Sequence, residues 1–164
     1  MKALLTELCN VLEQQHNTLD VLLSAAGEHN SAMINNDSTA MMAAVMRLEE
    51  LSHTLQKQDR QREEIQQRLA GVSGIKGQAV LSDILANATG ISMTDRLQRL
   101  AGEIKERINR LSEINKMNQV LATRGLQCTS QILNIIMPNE SNTYQGSGTF
   151  ASDRKATSVL NKTI

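Results

Sequence analysis

The chain has 164 residues, with 17 Lys+Arg against 17 Asp+Glu, two Cys, one Pro, one Tyr, one Phe and no Trp. That length suits one domain, and two cysteines cannot build a disulfide framework. Aromatic residues make up 1% of a chain that is 40% hydrophobic, so its core must be packed with Leu, Ile, Val, Met and Ala, which points to helices rather than a sandwich or barrel. Zero net charge excludes a polyelectrolyte binder of nucleic acid. Glu7 and Glu13 interrupt the N-terminal apolar residues, so no signal peptide is expected. No run of apolar residues is long enough to span a membrane, so a cytoplasmic protein is expected.

Along the chain, Leu4, Leu5, Leu8, Val11, Leu12, Leu19, Leu22, Leu23 and Ala26 recur at three- and four-residue steps, which predicts an amphipathic helix over residues 2–34. Asn35 to Thr39 breaks it, and Asp37 or Ser38 can cap the next helix with a side-chain oxygen. That second helix is predicted over 38–70. Its stretch from Gln56 to Gln67 is polar except for Ile65. It reads as helix held by local pairs such as Asp59 with Arg62 and Glu64 with Arg68, projecting beyond the core. Gly71, Gly74 and Gly77 mark a turn. A phosphate loop would require Gly-Lys-Ser/Thr after a strand, and Lys76 is followed by Gly77 and Gln78. A short helix is predicted over 78–88, and the longest over 93–137, where Pro138 stops it. Residues 138–164 are rich in Ser, Thr, Asn and Gly without apolar period and read as a flexible tail. The expected fold is all-α: an elongated antiparallel bundle of three long helices plus one short one, spanning 1–137.

Charge is uneven. Residues 1–50 carry two basic and seven acidic side chains, and the remainder fifteen basic and ten acidic; this would favour packing of the first region against the rest, but the expected reading is ordinary solvated faces. Arg96, Arg99, Lys105, Arg107, Arg110, Lys116 and Arg124 lie on the last helix, diluted by Asp95, Glu103, Glu106 and Glu113. That mixture lacks stacking aromatics and reads as a solvated face, not a nucleic-acid stripe.

No catalytic arrangement emerges. His16, His29 and His53 are scattered, and Glu13-x-x-His16 is a single copy of a pair that bundle metal sites use twice. Cys9 and Cys128 sit in apolar helical runs and read as small core residues. Neither a cofactor nor a metal is expected. The oddest segment is the end of the last helix, where Ile132, Leu133, Ile135, Ile136 and Met137 are apolar on too many sides for one packed face. Either other helices cover it or a partner helix does.

In its motifs the chain resembles the FlgN-type flagellar export chaperones. The likeness rests on the Leu4-Leu5-x-x-Leu8 opening, the acidic cap Asp37 between two long helices, and a short helix before a long final one. It rests further on Asn115-x-x-Asn118-x-x-Leu121 ahead of an apolar helix end, and on Tyr144-Gln145-Gly146-Ser147-Gly148 in the tail. His16, and a tail running sixteen residues past Gly148, depart from the family pattern. The resemblance implies a non-enzymatic chaperone that binds the helical C-terminal region of hook–filament junction proteins, prevents premature assembly and delivers them to the type III export gate. It implies substrate contacts at Asn118, Leu121, Leu126, Ile132, Ile135 and Ile136, and docking of Tyr144 on the cytoplasmic domain of the gate protein. The alternative from another class is a self-associating coiled-coil scaffold subunit, and a homodimer stays open in either case.

Overall fold

The structure is a computed structural model that describes residues 1–74 and 91–136. Three long helices account for these residues: α1 (Lys2–Ile34), α2 (Ser38–Ser73) and α3 (Ile91–Ile136). The predicted short helix over 78–88 and the tail over 138–164 lie outside the described residues. The chain divides into two units, Met1–Arg124 and the segment from Gly125 onward.

The limits of α1 coincide with the predicted ones. Its C-cap, Asn35, donates its backbone N–H to Ser31 O, and Asn36 takes φ 53°, a left-handed conformation that asparagine tolerates better than most residues. Asp37 is the residue that caps α2, its Oδ1 accepting from the Ala40 amide at 3.0 Å. Helix α2 runs three residues past its predicted end. Gly71 stays helical, and it is Gly74, at φ 68°, that supplies the left-handed residue that closes the helix.

Within the first unit, α1 and α2 are antiparallel. Glu7 pairs with Arg68 at one end and Glu28 with Arg47 at the other. Helices α1 and α3 run the same way, since Glu13, Asp20 and Asn30 meet Arg96, Arg107 and Asn118 in order. The apolar core lies where the N-terminal half of α1 meets the end of α2 and the start of α3: Leu4, Leu5, Leu8, Cys9, Val11 and Leu12 with Ile65, Leu69, Ala70, Leu97 and Leu100. Each fully buried leucine there contributes about 1.5–3 kcal/mol through apolar burial. Burial also pushes the Cys9 thiol pKa up, while Cys128 is exposed, contrary to its reading as a core residue.

Two sequence expectations are corrected by the packing. The polar stretch of α2 does not project beyond the core but lies against α1. Gln58 Nε2 donates to Thr18 Oγ1 at 3.0 Å, and Gln15 Nε2 donates to Asp59 Oδ1 at 3.3 Å. Arg62 donates to Asp59 at 2.6 Å and to Gln66 Oε1 at 3.0 Å. Gln15, Thr18 and Gln66 are buried in this seam and each meets a polar partner, while Gln58 Oε1 is buried there without one. The Asp59–Arg62 pair forms as predicted, whereas Arg68 reaches Glu7 across the helices rather than Glu64. The basic residues of α3 are not all solvated either. Arg96 binds Glu13, and Arg107 binds Asp20 at 2.6 Å, so the acidic first helix is matched by arginines from both others.

The Arg107 hydrogen bond holds the Asp20 carboxyl below its ordinary value of about 3.9. A depressed carboxylate stabilises the fold above that ordinary value, and the contribution is lost as pH falls through the lower folded-state value. Asp20→Asn is therefore expected to lower the melting temperature by roughly 2 °C near pH 7, with the gap to wild type closing toward pH 2, because both groups are partly exposed. Thermal melts across pH read the difference, and a gap that widens in acid would refute the linkage.

Candidate functional site

The residues singled out for partner binding fall into two sets. In the first unit, Asn118 is a bundle residue, only 8% exposed. Its Oδ1 accepts from Asn30 Nδ2 at 2.7 Å, and its Nδ2 donates to Ala26 O at 3.3 Å and lies 3.4 Å from His29 Nδ1. A buried amide survives in a helix seam only with such partners. Asn118 thus ties the middle of α3 to the last turns of α1. Asn118→Ala removes a partner from Asn30 and from the Ala26 carbonyl and is expected to cost about 1–3 kcal/mol in urea unfolding. A value within 0.3 kcal/mol of wild type would mean that water replaces the amide without loss.

Leu121, one turn on, is half-buried and lines a groove with Asn30, Ile34, Lys116, Met117 and Val120. Asn115, which shares the asparagine motif with Asn118, is exposed and lines a different groove. That cleft holds about 400 Å³ between α2 and α3, floored by Leu22 and walled by Leu48, Leu55 and Leu111.

The second set lies past Arg124. From Gly125 to Ile136, α3 carries no charged residue at all. Leu126, Ile132, Leu133, Ile135 and Ile136 are each about half exposed or more, and Ile135 reaches 79%. Thr129 Oγ1 returns its hydrogen bond to Gly125 O at 2.9 Å, so this end remains regular helix. An uncharged helix with large aliphatic side chains in water is the arrangement that a partner helix covers. Tyr144 lies outside the described residues.

The two members of the histidine motif face different partners. Glu13 turns to Arg96, while His16 Nε2 lies 3.2 Å from Glu103 Oε2 and its Nδ1 3.7 Å from Asp20 Oδ2. Among the described residues no three His, Cys, Asp or Glu side chains gather around a metal-sized point, and no helix is long and apolar enough to cross a membrane. Sequence reasoning missed the Ile34–Val120 groove. Its signal was present only as the short apolar run of Met117, Val120 and Leu121, and its other wall comes from the far end of α1.

Comparison with curated proteins and with solved structures returned no significant match. The family model described as FlgN protein matches residues 1–152, most of the chain. Proteins of this family are chaperones that bind flagellar export substrates, and the three-helix architecture with no strand among the described residues accords with it. The chain belongs to the FlgN family of flagellar export chaperones.

Proposed function

We propose that this chain binds the helical C-terminal region of hook–filament junction proteins in the cytosol, keeps them unassembled and delivers them to the type III export gate. What supports the reading most is the uncharged end of α3, where Leu126, Ile132, Ile135 and Ile136 stand in solvent on a regular helix. A cargo helix laid on these side chains would bury them and its own apolar stripe together, hiding the surface through which the cargo would assemble. Leu121 would extend the contact, and Asn118 would serve it by holding α3 in place rather than by touching cargo. Tyr144 would dock on the cytoplasmic domain of the gate protein. The work is reversible covering of apolar surface, with no catalysis, cofactor or metal.

The test uses the full-length chain as bait in a lysate of its own host, with co-eluting proteins identified by mass spectrometry. Recovery of a hook–filament junction protein, lost when the chain is cut after Arg124, is the expected result. A chain that elutes only with copies of itself, with a mass that rises with concentration, would replace this reading with the self-associating scaffold.

A further inference from the structure

At one end of the first unit, the last turns of α1 and the middle of α3 enclose a groove of about 370 Å³. Its walls are Ile34, Met117, Val120 and Leu121, with Asn30 and Lys116 as the polar members. Ile34 is 65% exposed and Met117 59%, with Val120 also exposed, which is more apolar surface in one place than an isolated helix pair has reason to leave open. Asn118 is hydrogen-bonded to Asn30 and to the Ala26 carbonyl, so the two walls are fixed before anything binds.

The charges around this groove identify what it fits. Along α1 each acidic residue is already committed: Glu7 to Arg68, Glu13 to Arg96, Asp20 to Arg107 and Glu28 to Arg47. Glu28 is the acid of α1 closest in register to Lys116, and it turns to α2 instead. Lys116 forms no ion pair among the described residues, and between Ile114 and Ile136 the only charged residues are Lys116 and Arg124. The groove therefore offers an apolar trough with an unpaired cation on its lip, and Glu113, one turn before Lys116, forms no ion pair with it.

We propose that this groove is a second anchor for the export cargo: it takes apolar side chains from an amphipathic helix that carries an acidic residue beside its apolar stripe, and Lys116 pairs with that residue. The inference rests on the export-chaperone reading and adds to it a binding surface and a charge rule. Apolar side chains three or four residues apart on the incoming helix would enter between Ile34 and Val120. The lysine would select against helices flanked by basic residues, because like charges meeting at a rim disfavour the wrong partner.

The experiment measures binding of a purified full-length hook–filament junction protein to the full-length chain by titration calorimetry at two salt concentrations. The variants are Lys116→Glu, Val120→Asp and, in case the latter perturbs the helix, Val120→Ser, each checked by far-UV circular dichroism. Ile132→Asp reports separately on the end of α3. Lys116→Glu and the Val120 variants are expected to weaken binding about tenfold, and Lys116→Glu to reverse the salt dependence. One acid-to-lysine change in the cargo's C-terminal helix is expected to restore the affinity of Lys116→Glu. If Ile132→Asp loses the cargo while the Lys116 and Val120 variants bind like wild type, the second anchor is refuted and the chaperone reading stands. If wild type fails to bind the junction protein, both fall. A dimer that Val120→Asp dissolves would give the groove to a second copy of this chain and overturn the proposal.

Discussion

The double variant Ile132→Asp, Ile135→Asp is expected to lose its cargo while keeping its helix. Ile135 is 79% exposed and Ile132 about half exposed, so neither substitution opens a cavity or buries a charge in the chain itself. The cost arises only on binding, when two carboxylates must leave water for an apolar contact. Removing two adjacent aliphatic anchors at the same time should weaken binding by at least about a hundredfold, since a few central residues carry most of an interface's energy. Titration of wild-type and variant chains with a junction protein reads the loss, and far-UV circular dichroism reads the helix. A helical signal that collapses in the variant would place both residues in a core.

Leu69→Ala should have the opposite signature: intact docking chemistry on a destabilised scaffold. Leu69 is fully buried in the cluster that contains Leu8 and Leu97, at the meeting of all three helices. Truncating a leucine there removes its transfer energy and leaves a cavity, for a cost of about 2–5 kcal/mol. Ile135→Ala, by contrast, should stay within about 0.5 kcal/mol of wild type, because that side chain already stands in solvent. Denaturant unfolding of the two variants side by side checks the contrast. Equal losses would mean that the cluster and the helix end share one core.

Much of the fold is written in the apolar spacing. The leucine steps of α1 give its limits, because a stripe facing one neighbour has to repeat at the helical period. Asp37 announces the turn, because a carboxylate at that place satisfies an amide that the helix leaves unpaired. The polar stretch of α2 is different. Reading only apolar residues, one sees nothing to bury between Gln56 and Ile65, yet Gln58 and Asp59 have matching polar partners in Thr18 and Gln15. A seam of complementary hydrogen bonds has no one-dimensional signature. At the site, the missing charges from Gly125 to Ile136 are legible in the sequence, but their exposure is not, since the same pattern would suit a buried helix end. Asn118 looks like an interruption of a stripe, and only the proximity of Asn30 and Ala26, far away in sequence, turns it into a fastening.

The polar seam between α1 and α2 also bears on the alignment in which the two helices pack. Two long helices that pack through apolar stripes have several alignments of similar apolar overlap, one heptad apart. Sliding α2 by a heptad would set Gln58 against Val11 or Ala25 and Asp59 against Leu8 or Leu22, at about 1–3 kcal/mol for each polar group left unpaired, while Gln15 would meet Ser52 or Gln66. An all-leucine seam would impose no such penalty and would tolerate the slipped forms. Gln58 and Asp59 therefore act as a key cut for one lock position, holding α2 against α1 in a single alignment and fixing the surfaces the pair presents.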